Sequence, residues 1–398
     1  MSYRLLDNQR QIYLRKDVKE SLRGICKLIF DFDGVLAQTS QSYRQTIRKV
    51  VDYYFLELLG LEGEKGKLTT LQDIQKFKNT GLYNNDWKLS YVLISYYLNL
   101  ILWKLEQENV IQNFNEHFWD ICFTDVASFI NDLKKVGAFF SRFGISGTDL
   151  SILKDDNTLG LDLFLAQASI EKSKSIEKSL VVVNPEVVDD KERLVKTLIP
   201  YDLEKPDLLK RLFEETYLGK KLYKQVYDQS PFFNFDASLI DIEDFIPTKA
   251  TLELLRKKFG TFGIYSGRPR SQGMYILEKY GYIGYFNEKE SVFLGDLLNS
   301  DDEMEKLGKP DPTLFIELIE KTIQDGARVA YVGDGIADAI MIEKAKKEGL
   351  ENLSFLGVMS SSEDSNTLFT EYSKHGTDAI LTDVNDIPYL FTHLGGNV

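Results

Sequence analysis

The sequence predicts an α/β protein built on a parallel sheet, with a large, mostly helical domain inserted after the first strand. Three observations predict it. From residue 245 onward, short apolar runs alternate with helix-length amphipathic segments, the rhythm of a parallel sheet covered by helices. Near the N-terminus, CKLIF (26–30) has the character of a strand buried on both faces and belongs with those later runs. Between them, residues 40–244 carry helical periodicity and many aromatics. The expected division is therefore 1–39 with 245–398 as the α/β core, and 40–244 as the helical domain.

Taken in order, residues 1–24 are charged throughout and read as a polar, helical lead-in. Strand 26–30 follows and ends at the Asp33-Gly34 turn. Ser40 is placed to cap a helix running to about Leu59, with Ile47, Val50, Val51, Tyr54 and Leu58 apolar. Thr70 and Asp73 resemble a capping box before the next helix. Further helices are expected near 87–107, 117–136, 160–170 and 206–228, the last opening on Pro206. EKSKSIEKS (171–179) reads as a solvated loop or helix edge, and VVVNPEVV (181–188) as a short strand or turn. In the C-terminal part, helices are expected near 248–259 and 271–280, after Pro310, and near 336–348 and 363–374. They alternate with strands at 261–266, 291–295, 327–334, 353–358 and 378–383.

Composition narrows the classes. A chain of 398 residues with 43% hydrophobic content has enough apolar material for two or three cores. The net charge of −13 argues against a general nucleic-acid binder, while leaving room for a local basic pocket. Cys26 and Cys122, the only cysteines, give no disulfide framework and suit a reducing compartment. No apolar run opens the chain as a signal peptide would, so the expected location is the cytoplasm. The stretch 89–103, LSYVLISYYLNLILW, is shorter than the ~20 residues of a membrane span. Lys88 and Lys104 bracket it, so it reads as a buried helix and no membrane partner is expected. The scattered His117, His375 and His393 match no metal-binding spacing. The aromatic stripes at 53–55 and 96–97 read as core.

In open α/β folds, ligands bind beyond the carboxyl ends of the strands, so chemistry is sought there. Asp31 and Asp33 follow the first strand, and Ser266 ends a second. Asp334 ends a third, with Asp338 one helical turn later, and Lys309 precedes a helix in GKPDP. Carboxylates gathered at one rim repel each other, and a hard divalent cation relieves that repulsion. A magnesium site follows from this crowding. A phosphate bound beside it would need a cation and hydrogen-bond donors, for which Lys309, Ser266 and Arg268 have the chemistry. Each piece alone has an ordinary reading. DFDG and GDG are common turns, GKPDP a loop before a helix, and Arg268 and Arg270 a solvated loop around a proline.

Together and in order, DFDGVLAQTS, IYSGRPR, GKPDPTLF and YVGDGIAD resemble the four motifs of the haloacid dehalogenase superfamily. The C-terminal stretch from FLGV (355–358) onward is similar to the end of its phosphoglycolate-phosphatase-like members. The resemblance implies a three-layer, Rossmann-like core, with residues 40–244 standing where the family carries a cap. It implies Asp31 as nucleophile, Asp33 as general acid and base, and Lys309 as the neutralising cation. It implies magnesium held by Asp31, Asp334 and the Asp33 carbonyl, with Asp338 in support. Ser266, the amide of Gly267, Lys309 and, less regularly for the family, Arg268 would hold the phosphoryl group. Asp33 favours phosphoryl chemistry, because dehalogenases of the superfamily lack an aspartate there. The expected function is hydrolysis of a small phosphorylated metabolite. The alternatives are a sugar phosphomutase, a phosphonatase, or a non-enzymatic interaction protein on the same core.

Overall fold

The computed structural model describes residues 2–79, 85–110, 125–156, 159–170, 195, 197–199, 208–298, 303, 306–322, 326–360, 362 and 364–395. Its first element is a β-hairpin, where the sequence reading expected a helix. Tyr3–Asp7 (β1) pairs antiparallel with Ile12–Arg15 (β2). Charge had suggested a solvated helix, but Ile12 and Leu14 alternate inward at the strand period. Asp7 makes the turn: its Oδ1 accepts from the amides of Gln9 (2.9 Å) and Arg10 (3.0 Å). Only Lys19–Arg23 is helical in this segment.

The remaining strands are Ile25–Phe30 (β3), Ala37–Gln38 (β4), Asp244–Phe245 (β5), Phe262–Ser266 (β6) and Phe286–Phe293 (β7). They continue with Arg328–Gly333 (β8), Leu353–Val358 (β9) and Ala379–Leu381 (β10). Eight of the strands form one sheet in the order β1-β2-β10-β9-β8-β3-β6-β7. All neighbours from β10 to β7 are parallel, and β2 joins β10 antiparallel. The hairpin thus covers an edge that would otherwise offer unpaired backbone groups. Strand β7 starts earlier than the expected 291, because an edge strand tolerates the charged Glu288-Lys289-Glu290 run.

Helices cover both faces, which makes three layers. On one face Ile29, Val329, Tyr331, Phe355 and Ile380 of the sheet share a core with Phe315, Met341, Ile342, Leu368 and Tyr372 of the helices. On the other, helix Lys249–Phe259 packs against β3 and against helix Ile387–His393, with Phe259 and Phe391 edge-on at 4.9 Å. Register sets the rim: Phe30 lies opposite both Val332 and Ile264, so Asp31, Asp334 and Ser266 emerge at the same end of the sheet.

The chain divides into two compact units, Met1–Gln41 with Ile242–Val398, and Ser42–Asp241. The first is the α/β unit just described. In it β4 and β5 form a small antiparallel ribbon, with Ala37 opposite Phe245 and Gln38 opposite Asp244. Among the described residues, Ser42–Asp241 contains helices and no strand. Helix Ser40–Asp52 runs on into a π-helical turn, Tyr53–Leu58. Thr70 and Asp73 form the expected reciprocal cap, at 2.8 and 3.1 Å, before Leu71–Asn79. Asp86–Gln107 is buried almost all round, and Phe55, Tyr96, Tyr97 and Phe164 form its aromatic contacts. No described helix is long and apolar enough to cross a membrane.

Helices Val126–Arg142, Gly147–Leu153 and Leu161–Ile170 follow, then Leu208–Tyr227. The last breaks at Gly219 (φ 67°), where Lys220 N–H donates to Phe235 O (2.9 Å). The helix expected over 117–136 starts later, at Val126, where the Asp125 side chain caps it by accepting from Ser128 N–H at 3.0 Å; residues 117–124 lie outside the described residues. The stretches 171–179 and 181–188, together with Pro206, His117 and Cys122, lie outside the described residues.

Candidate active site

Strand β3 delivers Asp31 to the centre of the rim. Its backbone still belongs to the sheet, with Asp31 N–H donating to Val332 O (2.8 Å). Its side chain is buried, Oδ1 accepting from the Phe32 amide at 2.7 Å. Oδ2 faces the Lys309 ammonium at 2.6 Å. Lys309 also lies 2.9 Å from Asp338 Oδ1 and donates to the Tyr331 hydroxyl at 2.7 Å. Tyr331 in turn has one proton, placed between Tyr265 O (3.0 Å) and Asp338 Oδ1 (3.2 Å). Tyr331 was not among the sequence candidates. Its side chain leaves the middle of an apolar strand, where an aromatic signals core, and only its hydroxyl reaches the site.

Asp338 is fixed by the start of helix Ile336–Lys347, where its Oδ2 accepts from Gly335 N–H at 3.0 Å. Gly333 is required here by space: a Cβ on it would lie 2.6 Å from Asp338 Oδ2. Asp31, Asp334 and Asp338 each present an oxygen within 4.8 Å of the others. Burial pushes the Asp31 carboxyl well above the usual carboxylate range, with Asp338 and Asp334 adding to the rise and Lys309 opposing it. Burial pulls the Lys309 pKa down, but the attraction of Asp31 and Asp338 outweighs it and holds the ammonium charged. The Tyr331 hydroxyl is raised well above its ordinary range by burial first, then by Asp31 and Asp338, and stays protonated. Three clustered carboxylates, Asp31 and Asp338 buried against Lys309 and Asp334 half-buried, fit a hard divalent cation held by oxygen ligands.

The other candidates are placed as follows. Asp33 lies on the turn after β3, where Gly34 adopts φ 73° and donates its N–H to Ala37 O at 2.8 Å. Ser266 ends β6 and is buried, its Oγ accepting from the Arg268 amide at 3.3 Å, while Gly267 is exposed at the rim. Arg268 is not at an open rim, as its expected phosphate contact requires. Its side chain is fully buried, and Nη2 lies 2.8 Å from Asp33 Oδ1 and 2.9 Å from Glu243 Oε2. The -Gly-Arg-Pro- spacing turns the arginine back beneath the loop, where two carboxylates engage it. Glu243 was missed because no motif surrounds it. Arg270 pairs with Glu288 at 2.5 Å on the sheet edge.

A protein-family model for haloacid dehalogenase-like hydrolases matches residues 28–346. The chain belongs to this family. A structural-genomics target solved by X-ray crystallography shares the haloacid dehalogenase-like fold at 20% identity, covering 93% of this chain and 99% of that one with a TM-score of 0.63. A phosphatase from Thermococcus thioreducens aligns at 19% identity over 87% of this chain and 98% of its own, with a TM-score of 0.42. Among curated proteins, an imidazoleglycerol-phosphate dehydratase from Phytophthora nicotianae is 38% identical over 67 residues, which is 17% of this chain. The matching stretch spans only 12% of that relative's length. As a haloacid dehalogenase-like hydrolase, the chain is an enzyme with a mostly parallel α/β core.

Proposed function

We propose that this hydrolase is a magnesium-dependent phosphatase acting on a small phosphorylated metabolite through an aspartyl-phosphate. The observation that carries the reading is the Lys309 ammonium held 2.6 Å from Asp31, which stands two residues before Asp33, and 2.9 Å from Asp338. In the first step an Asp31 oxygen attacks phosphorus and the bond to the ester oxygen breaks. The leaving oxygen keeps the electron pair and takes a proton from Asp33, giving the free alcohol. In the second step water attacks the same phosphorus and gives a proton to Asp33. The Asp31 carboxylate leaves, and phosphate is released.

Lys309 supplies positive charge where the phosphoryl oxygens gather, and its Tyr331 partner keeps it aimed. Gly267 is exposed, and its amide would donate to a phosphoryl oxygen. Asp31, Asp334 and the Asp33 carbonyl would hold magnesium, with Asp338 behind them, and the bound ion would offset charge on the transferring phosphoryl group. Asp338 Oδ1 faces Lys309 and Oδ2 accepts from Gly335, so its carboxylate is held in place beside the other two. We propose the unit Ser42–Asp241 as the family's cap, selecting the substrate, and the cytoplasm as its location.

The test is turnover of p-nitrophenyl phosphate by the purified full chain. Asp31→Asn should reduce it to background while leaving the thermal unfolding profile intact, and excess EDTA should silence the wild type until magnesium is restored. Undiminished turnover in either case contradicts the reading. Substrate class is then sought with a panel of phosphate esters, and the curated relative's name puts an imidazole-bearing phosphate on it. An isomer of a sugar phosphate without free phosphate would instead favour the mutase alternative.

A further inference from the structure

The Arg268 side chain is fully buried, as is Glu243. A buried guanidinium is costly to desolvate and persists where carboxylates offset its charge. Glu243 supplies that charge from the segment just before β5, and it is itself anchored. The Tyr280 hydroxyl donates to its carbonyl at 2.9 Å, and Lys279 Nζ to the same oxygen at 3.3 Å. The guanidinium also lies over the Phe32 ring, 4.9 Å from its centroid. Three elements therefore fix Arg268: the loop after β3, the segment before β5 and its own turn after β6. What it reaches with this fixed group is Asp33 Oδ1, at 2.8 Å.

We infer that Arg268 is a positioning residue for Asp33, fixing which carboxyl oxygen exchanges protons with substrate and water. The inference rests on the proposed phosphatase reading, in which Asp33 is the acid and base. A guanidinium carries a fixed positive charge and no acceptor, so it disfavours a proton on the carboxyl oxygen 2.8 Å from it. That leaves Oδ2 as the oxygen available to exchange protons with substrate and water. As the phosphorus–oxygen bond breaks, the leaving oxygen keeps the bonding pair and takes the proton from Oδ2. Oδ2 then receives a proton from the attacking water. Asp33 is about one-third exposed, and the fixed guanidinium beside one of its oxygens narrows the orientations its short side chain presents.

Leaving-group dependence tests this, because an ester with an acidic leaving group needs little help from an acid. The rates of p-nitrophenyl phosphate and phenyl phosphate hydrolysis are compared as a ratio in the wild type, Asp33→Asn, Arg268→Lys and the charge-balanced pair Arg268→Met with Glu243→Gln. The pair avoids stranding a buried charge if the single change does not fold. Asp33→Asn is expected to raise the ratio strongly, and both Arg268 variants to raise it about tenfold, a fraction of the range general acids supply. If Asp33→Asn raises the ratio and the Arg268 variants keep the wild-type value, even at lower absolute rates, Arg268 is merely structural and the inference fails. If Asp33→Asn leaves the ratio unchanged, the acid role of Asp33 fails first and the inference with it.

Discussion

Three acceptors surround the ammonium of Lys309: Asp31, Asp338 and the Tyr331 hydroxyl. The carboxylates set its charge, and the hydroxyl sets its direction. Tyr331→Phe keeps the ring in the core and removes only the oxygen. Its kcat is expected to fall between about 10- and 100-fold, the scale of a catalytic group displaced by a fraction of an ångström to an ångström. Stability is expected to fall by about 1–3 kcal/mol, because a buried donor loses its partner. Steady-state kinetics with chemical denaturation checks both, and an unchanged kcat would remove Tyr331 from the site. At this scale the sequence is readable where a residue's chemistry is unusual for its place. Asp31, Asp334 and Lys309 are charged groups beside apolar runs or before a helix and stand out. Tyr331 is a core-type residue with a working tip, and its pattern is that of any buried strand aromatic. Arg268 is legible as a cation, but spacing does not tell an arginine at a rim from one folded back onto Asp33 and Glu243.

Elements show a similar split between pattern and packing. The parallel strands β6, β8 and β9 carry runs of five or six buried residues, and β8 and β9 were placed within two residues of their observed bounds. The N-terminal hairpin was missed because its four-residue β2 shows only one turn of alternation, Ile12 and Leu14, within a charged stretch. In the helical unit, Asp52 closes helix Ser40–Asp52 and is buried where the helix becomes π-helical. Its Oδ2 accepts from the Gly66 amide at 2.7 Å, yet burial pushes its pKa up to about 6. The folded state therefore holds the proton more tightly than the unfolded chain. The stabilisation from this linkage is complete below about pH 4 and is lost as pH rises through about 6. Asp52→Asn keeps an acceptor for Gly66 without the charge. It is expected to stabilise the protein by about 1–3 kcal/mol at pH 7.5 and to flatten the stability profile between about pH 4 and 6. Unfolding measured across that range checks it; a variant that is less stable at pH 7.5 would contradict the assignment.

For the whole molecule, the decisive fact is that β3 sits between β6 and β8 although the inserted unit separates it from both in sequence. That placement brings Asp31, from one end of the chain, beside Lys309, Asp334 and Asp338, from the other. Charges at the rim are locally paired, Lys309 with Asp31 and Asp338, so the overall charge of −13 does not decide whether an anionic phosphate can bind. The order of the motifs was legible because three lie at strand ends, which the sheet has to bring together, and the fourth, with Lys309, just before a helix. Substrate choice was not, because the helical unit reads as aromatic core throughout and its sequence shows no group reserved for a ligand.

The central claim is the covalent bond from Asp31 to phosphorus. Acid-quenching the full-length Asp33→Asn variant during turnover of p-nitrophenyl phosphate, followed by peptide mass spectrometry, tests it most directly. The account predicts one phosphoryl group on the peptide containing Asp31, accumulating because the second step has lost its base. Turnover with no phosphorylated peptide, or phosphate on a different residue, would contradict it.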